Sequence, residues 1–103
     1  MPTYLITYFG AGEPPTSAEA REQMMAAFGA WVASVGDHLL DPGAPLGPSK
    51  LVSPAGVSDG PKTPIGGYSV IKADDLDAAV GLVKGHPFVG RGGSLQVSEA
   101  VAP

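Results

Sequence analysis

Gly66-Gly67-Tyr68-Ser69-Val70-Ile71-Lys72-Ala73-Asp74-Asp75-Leu76-Asp77-Ala78-Ala79-Val80-Gly81-Leu82-Val83-Lys84-Gly85-His86-Pro87 reads as a strand, a capped helix and a stop. Tyr68 to Ile71 are mostly β-formers after a glycine pair, which suits a short strand whose start needs close backbone approach. Asp74 is placed to cap a helix through its carboxylate, and Asp77 adds negative charge where the helix dipole favours it. Leu76, Ala79, Val80 and Val83 follow the i, i+3, i+4, i+7 rule and form one apolar stripe. Lys84, Gly85 and Pro87 supply a cation, a left-handed position and a block on continuation, so the spacing predicts a helix from about Leu76 to about Lys84.

On the N-terminal side, Thr3 to Phe9 is a strand apolar on both faces, with Tyr4, Ile6 and Tyr8 on one and Leu5 and Phe9 on the other around Thr7. Such a strand is expected to be covered on both sides. Thr16 reads as an N-cap completed by Glu19 in a capping box, and Pro14-Pro15 leads into it. Ala20, Met24, Ala27, Phe28, Trp31 and Val35 then recur at helical spacing, and the helix is expected to fray at Gly36. Leu39-Leu40 opens a further extended stretch, and the Gly- and Pro-rich segments between Asp41 and Gly67 read as turns around a short strand at Lys50-Leu51-Val52. Gly92-Gly93 leads into a last strand, Ser94 to Val101, with Leu95 and Val97 on one face.

The order β, α, β, β, α, β is that of the ferredoxin-like α+β fold, a four-stranded antiparallel sheet with two helices on one face. Two helices cover only one side of the sheet, so the apolar second face of Thr3–Phe9 predicts a two-fold homodimer packed sheet to sheet.

With 103 residues, 44% hydrophobic and 16% charged, the chain forms one globular domain over 1–103 with a thin core. No apolar run approaches the roughly 18 residues of a membrane span. The beginning Met1-Pro2-Thr3-Tyr4 lacks a basic leader, and the absence of cysteine excludes disulfide and thiolate chemistry, so a cytoplasmic setting is expected. A net charge of −4 with only six Lys and Arg, singly placed, argues against nucleic acid as a partner. Two histidines without metal-ligand spacing argue against zinc, and no motif calls for a cofactor.

Gly67-Tyr68-Ser69-Val70-Ile71, Ala73-Asp74-Asp75-Leu76-Asp77-Ala78-Ala79, His86-Pro87 and Gly92-Gly93-Ser94-Leu95-Gln96-Val97 resemble the YCII-related family, also called DGPF-domain proteins. Asp59-Gly60-Pro61 echoes the tripeptide behind that name, and Trp31, Gly36, Asp37 and Gly43-Ala44-Pro45-Leu46-Gly47 resemble one sub-branch. The resemblance implies a dimeric α+β barrel. In the better-studied branch it implies a catalytic dyad, a His on the first helix and an Asp in an Asp-Pro-aromatic motif after the second, in lyases or dehalogenating enzymes. Here the first-helix positions hold Met24, Met25 and Phe28, and the motif reads His86-Pro87-Phe88, so the dyad does not carry over.

Individual residues leave two functions open. His86 titrates near neutrality and follows a helix, where it is either a dipole-satisfying cap or a general acid or base. As an imidazolium it would join Arg91 as counter-charge to a small anionic organic ligand. Trp31 and Tyr68 offer an indole N–H and a phenol to such a ligand, and Asp59 a carboxylate, although helical spacing also puts Trp31 in the core and Asp59 in a turn. Gly90-Arg91-Gly92-Gly93 resembles an anion-binding nest. His38 reads as part of a solvated turn. The first reading is a homodimeric small-molecule-binding or sensing module; the alternative is a cofactor-free lyase or isomerase using His86.

Overall fold

In the computed structural model, which describes residues 1–10, 16–60 and 65–102, the first strand, β1 (Thr3–Phe9), is one of the two inner strands of the main sheet. Helix α1 (Ala18–Val35) and a single 3₁₀ turn (Gly36–His38) lead to β2 (Leu39–Pro45). A separate hairpin, β3 (Lys50–Ser53) and β4 (Gly56–Asp59), precedes β5 (Gly67–Lys72). Helix α2 (Leu76–Val83), a one-turn helix α3 (Pro87–Gly90) and β6 (Ser94–Ala100) complete the order. The main sheet runs β2-β5-β1-β6, with every pairing antiparallel, which is the ferredoxin-like order.

Register explains the core. Ile6 lies opposite Ser69 and Val97, and Tyr4 opposite Ile71, so these side chains share the helix-covered face. Tyr4, Ile6 and Ile71 pack there with Trp31 and Val35 of α1 and Ala79 and Val83 of α2, all buried. Leu5, on the other face, is 38% exposed.

The helix boundaries correct the sequence reading by one residue each. Ser17, not Thr16, caps α1, its Oγ accepting from Ala20 N–H at 3.0 Å. Glu19 therefore sits in the first turn as a favourable charge rather than closing a capping box. Asp75, not Asp74, caps α2, its Oδ1 accepting from Ala78 N–H at 2.8 Å. In both places two capping-competent residues stand side by side, and the one used is set by where tertiary packing starts the helix. Gly36 does not fray; at φ 54° it closes α1 and opens the 3₁₀ turn.

Three further expectations change. Gly85 does not adopt the left-handed conformation: among the described residues, those at positive φ are Gly10, Gly36, Gly43, Gly56 and Gly92. His38 gives a ring nitrogen, Nδ1, to the Lys72 carbonyl at 2.8 Å, tying the turn to β5 instead of standing in solvent. The stretch after β2 holds a two-stranded hairpin whose eight residues are all exposed, where a single strand among turns was expected. Pro14-Pro15 and the end of the second proline-rich segment, 61–64, lie outside the described residues.

Candidate functional site

Between α1, the inner end of β2, β1 and α3 lies a cavity of about 470 Å³. Its apolar lining comes from Met24, Met25 and Phe28 of α1 and from Phe88 of α3. Residues 42–45 and 66–67 form a backbone wall, and Tyr8, His86 and Arg91 bring polar atoms.

The backbone wall exists because β2 departs from regular pairing. Its register with β5 shifts between Leu39 and Asp41 and again between Asp41 and Ala44. Asp41 Oδ1 accepts from Gly43 N–H at 2.8 Å, and Gly43 takes φ 74°. A side chain there would collide with the Tyr68 carbonyl, so glycine is required both for conformation and for contact. The bulge turns the Pro42 carbonyl inward, where Ser69 Oγ donates to it at 2.8 Å.

His86 is placed by the proline that follows it. The residue before proline is held extended, and His86 has φ −67°, ψ 134°. That conformation ends α2 and starts α3, with Pro87 in its first turn and His86 as N-cap. Nδ1 accepts the Phe88 N–H at 3.0 Å. His86 is thus an N-cap of α3, not the C-terminal dipole cap of α2 that its position suggests. Its ring packs 4.5 Å from that of Trp31 and 5.1 Å from that of Tyr8. Only 4% of the residue is exposed, and burial, with a smaller push from the Arg91 charge, lowers its pKa to about 4. His86 is neutral near pH 7, so the expected imidazolium counter-charge is absent.

Tyr8 links the site to the sheet. Its hydroxyl lies 2.9 Å from His86 Nε2 and 2.7 Å from Ser69 Oγ. Burial raises the phenol pKa, partly offset by the Ser69 contact, so it stays protonated. Arg91, just beyond α3, places its guanidinium 5.5 Å from the centre of the Phe88 ring and donates from Nη1 to Met24 Sδ at 3.2 Å. Among the described residues the ion pair present is Lys50–Asp59, and no carboxylate lies within salt-bridge distance of Arg91.

Of the residues singled out in the sequence, His86, Arg91 and Tyr68 border this cavity. Strand alternation sends the Tyr68 ring to the face opposite Ser69, so Tyr68 meets the cavity through its backbone. Trp31 stands behind His86, 3% exposed, with its indole N–H given to the Leu82 carbonyl at 3.0 Å. Asp59 is on the hairpin, paired with Lys50 at 2.7 Å and away from the cavity lining. Sequence reasoning passed over Tyr8 and Ser69. A small polar residue at the inward parity of an otherwise apolar strand, as Ser69 is beside Ile71, is the signal that could have found them. Met24, Met25, Phe28 and His86, the positions where the resemblance implies a dyad, all line the cavity.

A family model of the YCII-related domain matches residues 5–100. The chain belongs to the YCII-related family. Among solved structures, this YCII-related chain is similar to 5-chloro-2-hydroxyhydroquinone dehydrochlorinase from Burkholderia phenoliruptrix, in complex with 2,5-dihydroxybenzoquinone. The two share 19% identity and a TM-score of 0.57 over 98% of this chain and 95% of that one, a likeness of fold. Among curated proteins no sequence matches the chain.

Proposed function

We propose that this YCII-related chain binds a small, largely apolar organic anion in the cavity between α1, β2 and α3. The carrying observation is Arg91: a guanidinium without a carboxylate partner among the described residues, at a mostly apolar cavity, held by a thioether and an aromatic face. Such contacts are weak beside the bidentate bond that guanidinium forms with a carboxylate, so an anionic ligand gains by replacing them. A cavity of about 470 Å³ falls in the range of small-molecule sites. The dehydrochlorinase of like fold is in complex with a flat, oxygenated ring, and a ring of that size suits this cavity.

Binding or sensing is preferred to a lyase or isomerase reaction. A general base needs a free lone pair facing the substrate, and His86 Nδ1 already accepts the Phe88 amide. The open face of the sheet, with Leu5 beside Val70, supports a homodimer packed sheet to sheet.

Calorimetric titration with benzoate, naphthoate and hydroxybenzoates tests the reading. Arg91→Gln should weaken binding about tenfold or more, the worth of a charged hydrogen bond. No binding of any of these by the wild type, or equal binding by the variant, would overturn it.

A further inference from the structure

Four hydrogen bonds in series join α3 to β2, and both ends of the chain they form are backbone groups of fixed polarity. At one end is the Phe88 N–H, which can only donate, to His86 Nδ1 at 3.0 Å. At the other is the Pro42 carbonyl, which can only accept, from Ser69 Oγ at 2.8 Å. Working inward from Phe88, the lone pair of the neutral ring is on Nδ1, so the ring proton is on Nε2 and points to the Tyr8 oxygen. Tyr8 then gives its own proton to Ser69. Working inward from Pro42, Ser69 spends its proton on the carbonyl and must accept from Tyr8, which must accept from His86. Both backbone ends require the same arrangement, which assigns every proton in the chain.

All three side-chain protons are consumed inside the protein. What the Tyr8–His86–Ser69 cluster has left is acceptor capacity. Ser69 is 0% exposed, whereas Tyr8 borders the cavity, so the acceptor available to a ligand is the Tyr8 oxygen. The neighbouring backbone wall is poor in donors as well. Pro42 and Pro45 have no N–H, Gly43 gives its own to Asp41, and Gly66 gives its own to the Tyr8 carbonyl at 2.7 Å.

We propose that this cavity selects ligands carrying an O–H or N–H donor in addition to the anionic group, the donor meeting the Tyr8 oxygen and the anion meeting Arg91. The inference rests on the anion-binding reading of the same cavity and adds the substrate class: hydroxylated or aminated aromatic acids in preference to their ethers.

Calorimetry with 3- and 4-hydroxybenzoate against the matching methoxybenzoates decides the matter. At least one hydroxy acid should bind wild type about tenfold tighter than its methyl ether, because the ether oxygen can only accept. In Tyr8→Phe that preference should fall to within about twofold. Ser69→Ala provides a second readout: it frees the Tyr8 proton to turn toward the cavity, so the methoxy acid should gain affinity. Equal binding of hydroxy and methoxy acids by wild type, or a preference that survives Tyr8→Phe, or no gain in Ser69→Ala, would reject the donor rule while leaving the anion site standing. Failure of every benzoate to bind would overturn both.

Discussion

The Tyr8 hydroxyl lies 2.9 Å from His86 Nε2, joining residues 78 positions apart in the chain. This contact connects β1 to the start of α3 and makes a neutral, proton-donating imidazole part of the cavity wall. Its consequences are measurable in stability as well as in binding.

His86 titrates at about 4 in the folded chain, against about 6.5 when exposed, first because of burial and then because of Arg91. Between those values the unfolded chain binds a proton that the folded chain does not. Stability contributed by the neutral ring is therefore full above pH 6.5 and is lost as pH falls toward 4. His86→Asn keeps an N-capping group without the titration. Urea melts should show wild type losing roughly 2 kcal/mol relative to this variant between pH 7 and 4.5. A constant difference would mean an ordinary histidine.

Binding, unlike stability, should be insensitive to pH. Arg91 carries its charge across the accessible range and His86 is neutral throughout, so affinity for benzoate should be level between pH 5.5 and 8. Calorimetry at several pH values checks this. A decline centred near pH 6.5, abolished in His86→Gln, would restore the imidazolium as a counter-charge.

Tyr8→Phe should destabilise the fold by about 1–3 kcal/mol, because it strands the buried His86 Nε2–H and leaves Ser69 without its donor. Denaturant midpoints at pH 7 measure it. A midpoint equal to wild type would indicate that water replaces the hydroxyl.

Trp31→Ala should cost roughly 3–5 kcal/mol, enough to threaten folding of a small domain. The indole is 3% exposed, packs against the His86 ring at a tilt of 54° and donates to the Leu82 carbonyl. Near-wild-type melting would place Trp31 outside the core.

Light scattering across a micromolar dilution series tests the homodimer. The expected mass is twice 10.3 kDa. A single mass near the monomer value at every concentration would remove the sheet-to-sheet arrangement.

Periodicity alone carried the architecture: the alternation of Thr3–Phe9, the stripe from Met24 to Val35 and the stripe from Leu76 to Val83 are local patterns with one sensible packing. His86 and Arg91 stood out in the sequence because charge and titration are properties of residue types. The donors and acceptors around them were invisible there, since a hydrogen bond between Tyr8 and His86, or between Ser69 and Pro42, depends on strands and turns distant in the chain meeting at a few ångströms. The protonation of His86 was likewise a tertiary matter. The same histidine is a helix-end cation by local rules and a neutral N-cap once Pro87 turns the chain and Trp31, Phe28 and Tyr8 close over its ring, because desolvation is set by what packs around a group.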